Sequence, residues 1–353
     1  MEDFTKSKSM ELPRKVVIGH NALLDVGKVS KELSIGKKAM LVCDPITKEV
    51  ACDKASELLE DLDFTTHQQV IEDATSEVVN STAEDLKNGS FDFVLGVGGG
   101  RPIDVAKCAS EKTGLPFLSV PTAASHDGIV SSRGSLTDAQ GKISVAARTP
   151  LAVVMDTAIL AESPYKLLAA GCGDIISNST AVKDWILARK LKNEYFSSYA
   201  ASLSRMTASL LIENAGLIKP RLEESAWFVA KALVSSGVAM SIAGSSRPAS
   251  GSEHKFSHAL DMIAKKPGLH GEQCGVGTIM MMYLHGGDWE RIRDALLAIG
   301  APTTARTLGV TDEEIIEALV HAHEINKERY TILGEGGLTH EAAEHLASIT
   351  KVI

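Results

Sequence analysis

The sequence predicts an α/β domain built on a parallel, Rossmann-like sheet, followed by an all-α domain. Three observations carry that expectation. Up to Ala161, short β-branched runs alternate with segments of helical spacing, the pattern of strands covered by helical layers. From Ala161-Glu-Ser-Pro164 onward the strand-like runs stop, and Ala-, Leu- and Ser-rich segments with helical periodicity continue to the C-terminus. At 353 residues and 44% hydrophobic content, the chain exceeds what one compact core organises. The expected division is 1–161 and 162–353, with the active site in the crevice between the two.

Taken in order, Lys15–Ile18 is the first expected strand. Lys38–Cys43 is the second and ends on Asp44, Phe91–Val97 is the clearest, and Pro116–Val120 and Leu151–Met155 complete the series. Ala51–Leu62 and Ser76–Lys87 carry helical spacing between them. Gly134–Thr137, Asp138–Gly141 and Lys142–Val145 read as a polar-tipped hairpin beside the sheet. In the second half, helices are expected over Gly173–Leu191, Ser197–Ala215, Leu222–Ala243, Ser252–Ala264, Gly271–Leu284, Trp289–Ala298, Asp312–His323 and Thr339–Ser348. The sequence shows no internal repeat and no low-complexity linker.

Composition narrows the function. A net charge of −9 without a basic cluster argues against nucleic acid or an anionic membrane as partner. The start, Met1-Glu2-Asp3-Phe4-Thr5, has no apolar run behind a basic segment, and no stretch reads as a span of about 20 apolar residues. A cytoplasmic protein without a membrane anchor is expected. Five cysteines form no C-x-x-C pair and read as buried thiols in a reducing compartment, none of them a nucleophile. Apolar helices in excess of one core point to a homo-oligomer.

Four stretches carry chemistry. Gly96-Val-Gly-Gly-Gly-Arg-Pro-Ile-Asp-Val-Ala-Lys107 follows a strand and opens a helix. Its glycines let backbone N–H groups wrap an anion, Pro102 suits a first helical position, and the helix N-terminus favours pyrophosphate. It lacks the last glycine of G-x-G-x-x-G, where Arg101 stands, and the Gly-Lys-Ser/Thr ending of a Walker loop. The loop Val120–Arg133 leaves the next strand with small hydroxylated residues suited to close approach of a cofactor; on residues alone its Asp127-Gly128 also reads as a turn. In the second half, His254 and His258 stand four apart on one helix face, and His270 follows Pro267-Gly268 to open the next helix. Two imidazoles from neighbouring helix starts can meet at one cation, with a carboxylate expected as third ligand and a position left for water or substrate. Asp174, after Gly171-Cys-Gly173, is expected at the start of a helix, where it also suits a cap.

These motifs resemble the superfamily of glycerol dehydrogenase, dehydroquinate synthase and iron-type alcohol dehydrogenase. There Gly-Gly-Gly-x-x-x-Asp-x-Ala-Lys, His-x3-His-Ala and His-Gly-Glu recur. The Pro121-Thr-Ala-Ala-Ser-His-Asp-Gly128 loop narrows the resemblance to the archaeal sn-glycerol-1-phosphate dehydrogenases, from about Leu12 past His270. The resemblance implies a dinucleotide-binding first domain, with Gly98, Gly99, Gly100, Arg101 and Pro102 lining the pyrophosphate and Asp104 belonging to the same motif. Thr122, Ala123, Ala124, Ser125 and Ser131 are implied near NAD(H) or NADP(H). It implies one zinc per chain on Asp174, His254 and His270, with Asp127, Asp174 and His258 at the substrate. The activity implied is NAD(P)H-dependent reduction of dihydroxyacetone phosphate to sn-glycerol 1-phosphate, the backbone step of archaeal ether phospholipid synthesis. His258 would pass the proton, and His126 has no assigned role. Iron-type members carry a further histidine where this chain has Asn178, which favours zinc.

Arg247 and Lys255 are candidates for the substrate phosphate because they flank the metal stretch in an acidic chain. Asp44, at the end of its strand, is a candidate for the adenosine ribose hydroxyls. Three other readings stand beside this one: a polyol dehydrogenase acting on an unphosphorylated substrate, a dehydroquinate synthase-type lyase, and a non-catalytic nucleotide sensor. The lyase is disfavoured because its Asp-Ser-Ser-Val-Gly-Gly-Lys loop is absent, and the sensor because it needs no metal set.

Overall fold

The computed structural model describes residues 9–138 and 141–353. The tip of the expected hairpin at 139–140 and the N-terminal Met1–Thr5 lie outside them.

Among the described residues, eight strands form in the first half: β1 (Lys15–Gly19), β2 (Lys38–Cys43), β3 (Thr65–Val70), β4 (Phe93–Gly98), β5 (Phe117–Pro121), β6 (Arg133–Asp138), β7 (Gly141–Ala146) and β8 (Ala152–Asp156). Six make one parallel sheet in the order β1-β8-β5-β4-β2-β3, and β6 with β7 form a separate antiparallel hairpin. β3 was not expected: Thr-Thr-His-Gln-Gln-Val has no apolar run, and what defines it is parallel pairing along the whole of β2, from Lys38 opposite Thr65 to Cys43 opposite Val70. It is an edge strand, where polar side chains cost little. The central strands β2, β4, β5 and β8 bury nearly every side chain, as a sheet covered on both faces requires. One core gathers Leu41, Phe93, Leu95, Leu118 and Val154 with Val26, Val29, Ala55 and Leu59 of the helices Val26–Leu33 and Asp53–Glu60.

The strand order places a topological switch point between β2 and β4. From β2 the chain moves outward to β3; from β4 it moves the other way, to β5. The loops at the carboxyl ends of β2 and β4 therefore flank the crevice in which such sheets bind ligands.

Among the described residues no strand follows β8. The helices run Tyr165–Lys192, Ser198–Glu213, Glu223–Ala243, Ser252–Ile263, His270–Leu284, Trp289–Ile299, Asp312–His321 and His340–Ile349, with shorter turns between. By contact density the chain forms two compact units, and they do not divide at one cut. The α/β unit comprises Glu11–Leu168 and Pro220–Gly237; the helical unit contains Ala169–Lys219 and Val238–Ile353. Glu223–Ala243, for which no span was expected, is by length and composition apolar enough to cross a membrane, yet most of its apolar window is buried within the fold.

Asp174 does not start a helix as expected. Its helix begins at Tyr165, and Gly171 and Gly173 lie inside it. Gly173 serves an approach rather than a cap. A Cβ on Gly173 would collide with the carbonyl of Gly271, one on Gly271 with the carbonyl of Ala170, and Gly275 lies against Gly173. The helices Tyr165–Lys192 and His270–Leu284 thus cross backbone to backbone. Glycine inside a helix costs about 0.5–1 kcal/mol relative to alanine; here it brings the Asp174 and His270 side chains together.

Candidate active site: a glycine cradle and a cluster of metal-type donors

In the α/β unit, the glycines after β4 have separate tasks. Gly96 packs against Ile103, where a Cβ would lie 2.8 Å from its Cα. Gly98 has φ +153, in the region that favours glycine, and its missing Cβ would meet Pro102 Cγ and Thr47 Oγ1, each at 2.8 Å. The loop after β2 therefore lies against the loop after β4. Gly99 is the N-cap of the helix Gly100–Thr113, and nothing lies within 4 Å of where its Cβ would be. Open space over a helix N-terminus, bounded by backbone N–H groups, is a cradle for an anion, and the pyrophosphate of a dinucleotide fits it.

Among the expected cofactor residues, Thr122 is bonded directly to a cradle glycine, and several others are held by partners of their own. Asp104 is buried beside Lys107, with 3.5 Å between Oδ1 and Nζ, and burial raises its carboxyl to about 6 against the opposing pull of Lys107. Lys107, fully buried, donates to the carbonyls of Gly128 and, at 2.6 Å, Arg133. Arg101 turns outward and donates to the Glu72 carbonyl at 2.7 Å. Thr122 N donates to the Gly98 carbonyl at 2.9 Å, Ala123 and Ala124 are buried, Ser125 is half-buried, and buried Ser131 accepts from Arg133 N. Asp44 closes a capping box with Thr47: Oδ1 accepts from Thr47 N at 2.8 Å, and Asp44 N donates to Thr47 Oγ1 at 3.0 Å. At least one carboxylate oxygen is therefore engaged locally rather than turned to a ribose. Asp127 is steadied by a hydrogen bond from Ser236 Oγ at 2.7 Å, a partner that nothing in the sequence suggested.

In the helical unit, four side chains offer ligand atoms that all lie within 4.8 Å of one another: Asp174, His254, His270 and Cys274. Asp174 Oδ1 is 3.7 Å from His254 Nε2 and 3.8 Å from His270 Nε2, and the two rings meet edge to face with centroids 4.9 Å apart. Each imidazole is held from behind. His254 Nδ1 pairs at 3.0 Å with Glu253 Oε1, whose carboxylate also accepts from Gly251 N and Thr180 Oγ1. His270 Nδ1 lies 3.1 Å from Ser257 Oγ, which donates to Gln273 Oε1, while the Gln273 amide donates to Asp261 and to the Gly268 carbonyl. Both Nε2 atoms are thereby turned to Asp174, the arrangement by which metal-binding histidines are oriented. Burial works against a proton on His254, yet the Cys274 sulfur and the Glu253 carboxylate outweigh it and raise its proton affinity well above that of an ordinary imidazole. One carboxylate and two imidazoles fit a catalytic zinc.

Cys274 was read as one more buried thiol. The structure puts its sulfur 3.6 Å from His270 Nε2, one helical turn on. The spacing His270-x3-Cys274 was the available signal, and it was masked by the apolar run around it. Burial pushes this thiol up to about 11, with Asp174 and Glu253 adding and His254 opposing. His258 lies outside the converging group, its ring 5.7 Å from that of His270. Asn178, one turn past Asp174, is buried. Arg247 is corrected as a phosphate candidate: its guanidinium pairs with both oxygens of Glu194 and donates to the Tyr330 carbonyl at 2.9 Å. Lys255 is buried, and burial first, then Arg329 and Arg247, pulls its ammonium down to about 8.

The fold is shared with solved structures of low sequence identity. The chain is similar to a probable glycerol dehydrogenase from Sinorhizobium meliloti (TM-score 0.80, 20% identity, 98% of this chain and 100% of that one) and to glycerol dehydrogenase from Schizosaccharomyces pombe (TM-score 0.80, 19% identity, 98% and 91%). Residues 17–164 match the family described as iron-containing alcohol dehydrogenase. Over 98% of its length the chain is 59% identical to glycerol-1-phosphate dehydrogenase (NAD(P)+) of Methanosarcina mazei, covering 97% of that protein, and 56% identical to its namesake in Methanothermobacter thermautotrophicus, covering 99%. The chain belongs to the glycerol-1-phosphate dehydrogenase family.

Proposed function

We propose that this protein reduces dihydroxyacetone phosphate to sn-glycerol 1-phosphate with NADH or NADPH, assisted by one zinc ion. The observation that carries the reading is a donor set and an anion cradle of the right chemistry, standing in a chain so close over its full length to proteins named for this product. Asp174, His254 and His270 would hold the metal, and the cradle at Gly98–Pro102 the dinucleotide. Lewis-acid polarisation of the ketone is the chemistry a bound zinc supplies, and the hydride is the nicotinamide's.

The residues supply the rest. Glu253 and Ser257 keep the two imidazoles facing Asp174. His258, one helical turn from His254, delivers the proton to the C2 oxygen, and Asp127, steadied by Ser236, receives a substrate hydroxyl. With Arg247 engaged by Glu194, Lys255 remains the candidate for the substrate phosphate. The setting is cytoplasmic lipid-backbone synthesis, and the working form a homo-oligomer.

The deciding experiment offers the purified protein dihydroxyacetone phosphate and dihydroxyacetone with either cofactor and determines product chirality. Strong preference for the phosphorylated ketone and an sn-1 product are expected. Equal rates on both ketones, or a racemic or sn-3 product, would replace this reading with a polyol dehydrogenase.

A further inference from the structure

We propose that His126 is a ligand of the dinucleotide pyrophosphate, its imidazole held over the first turn of the helix Gly100–Thr113 in a slot that Gly100 and Gly128 leave open for it. The inference rests on the dinucleotide reading of the cradle and names a residue that the glycine motif does not contain.

The slot is defined by what two glycines would otherwise meet. A Cβ on Gly100 would lie 2.5 Å from His126 Nε2 and 3.5 Å from Cδ2 and Cε1; a Cβ on Gly128 would collide with Nδ1 and lie 2.6 Å from Cε1. Real side chains do not approach so closely. Neither glycine has a φ in the left-handed region, so backbone conformation does not call for glycine at these positions. What both accommodate is the one ring between them.

The ring is also fixed in place. His126 is extended, with φ −168 and ψ 161, and leads into the turn Asp127–Ile129. That turn is tied on one side through Asp127 to Ser236 and on the other through the Gly128 carbonyl to Lys107, a residue of the same helix whose first residue the ring faces. The Nε2 edge faces Gly100, the first residue of that helix, and the N-cap before it, Gly99, has nothing within 4 Å of its Cβ position. An N–H donor there adds a side-chain hydrogen bond to the backbone N–H groups that the helix presents to an anion.

The test measures affinity for NADH, ADP and adenosine by calorimetry for the metal-loaded wild type and for His126→Ala, His126→Gln, Gly100→Ala and the double variant Gly100→Ala/His126→Ala, with melting temperature and metal content as controls. His126→Ala should weaken NADH and ADP about tenfold or more and leave adenosine, which has no phosphate, within about twofold. His126→Gln, which retains an N–H donor, should recover most of the loss. Gly100→Ala should weaken NADH by displacing the ring, and should add little once the ring is gone. Unchanged NADH and ADP affinity in His126→Ala would overturn the proposal, as would a parallel loss of adenosine. A full Gly100→Ala penalty in both backgrounds would overturn the slot, because the glycine would then serve the phosphate directly. A wild type that binds neither NADH nor ADP would remove the cofactor reading itself, a result distinct from all of these.

Discussion

At the scale of single residues, the proposed function separates groups that would hold a metal from groups that would act. Asp174→Asn and His254→Ala remove a converging donor, so elemental analysis should find the site emptied. His258→Ala should keep about one zinc per chain while lowering turnover about a hundredfold or more, the usual worth of a proton-transfer group. Release of zinc by His258→Ala with retention by His254→Ala would exchange the two roles. Glu253→Gln should weaken zinc about 10–100-fold without removing a ligand, because the His254 ring loses the carboxylate behind it. Sequence spacing points to His254, His258 and His270 as candidates, since i,i+4 and a helix start are local facts, and of the three the structure brings His254 and His270 together with Asp174. Cys274 and Ser236 were illegible for opposite reasons: a thiol amid Val, Ile and Met reads as core, and a serine inside a long apolar helix gives no hint that it faces Asp127.

At the scale of elements, the helix crossing that joins Asp174 to His270 depends on the absence of a side chain. Gly271→Ala drives a methyl into the Ala170 carbonyl, so the helices must separate. We expect destabilisation of about 1–3 kcal/mol together with loss of zinc, and a variant of native stability and metal content would show that the crossing is looser than drawn. Gly99→Val is the contrasting case: its Cβ side is open and its φ of −77 is ordinary, so melting temperature and zinc should hold while dinucleotide binding disappears. Asp104 supplies a pH signature. Its folded-state pKa is raised to about 6, so its contribution to stability is fully present below the unfolded carboxyl value and is lost as pH rises through about 6. The wild-type melting temperature minus that of Asp104→Asn should therefore fall as pH rises through that window; a flat difference would show that Asp104 titrates normally. Elements with strong apolar period were readable to within a few residues, as at β2 or the helix Ser252–Ile263. β3 was not, since its pairing lies in the backbone, and neither was the early start of Asp174's helix, because two glycines resemble a helix boundary until the neighbour they admit is seen.

At the scale of the whole molecule, the proposed cofactor cradle and the proposed metal donors belong to different compact units. The cradle and the 120–131 loop lie in the α/β unit, whereas the donor cluster lies in the helical unit. Residues 220–237 belong to the α/β unit, which the change of period near Pro164 does not reveal, because a long apolar helix looks the same whichever core it serves. A ligand that binds only the folded state protects the segments that form its site, by an amount that grows with its concentration relative to Kd. Hydrogen exchange should therefore resolve two footprints. Zinc added to chelator-treated protein should slow exchange in Tyr165–Lys192, Ser252–Ile263 and His270–Leu284, the three helices that carry the donors. NADH should slow exchange at 96–107 and 120–131, including protein from which the metal has been stripped. Because His126 and Asp127 sit on the loop that Lys107 braces, protection from NADH should extend across Gly128 rather than stop at the glycines after β4. NADH protection confined to the donor helices, or absent whenever zinc is absent, would show that the cradle is not an independent cofactor site, and that the metal cluster organises both.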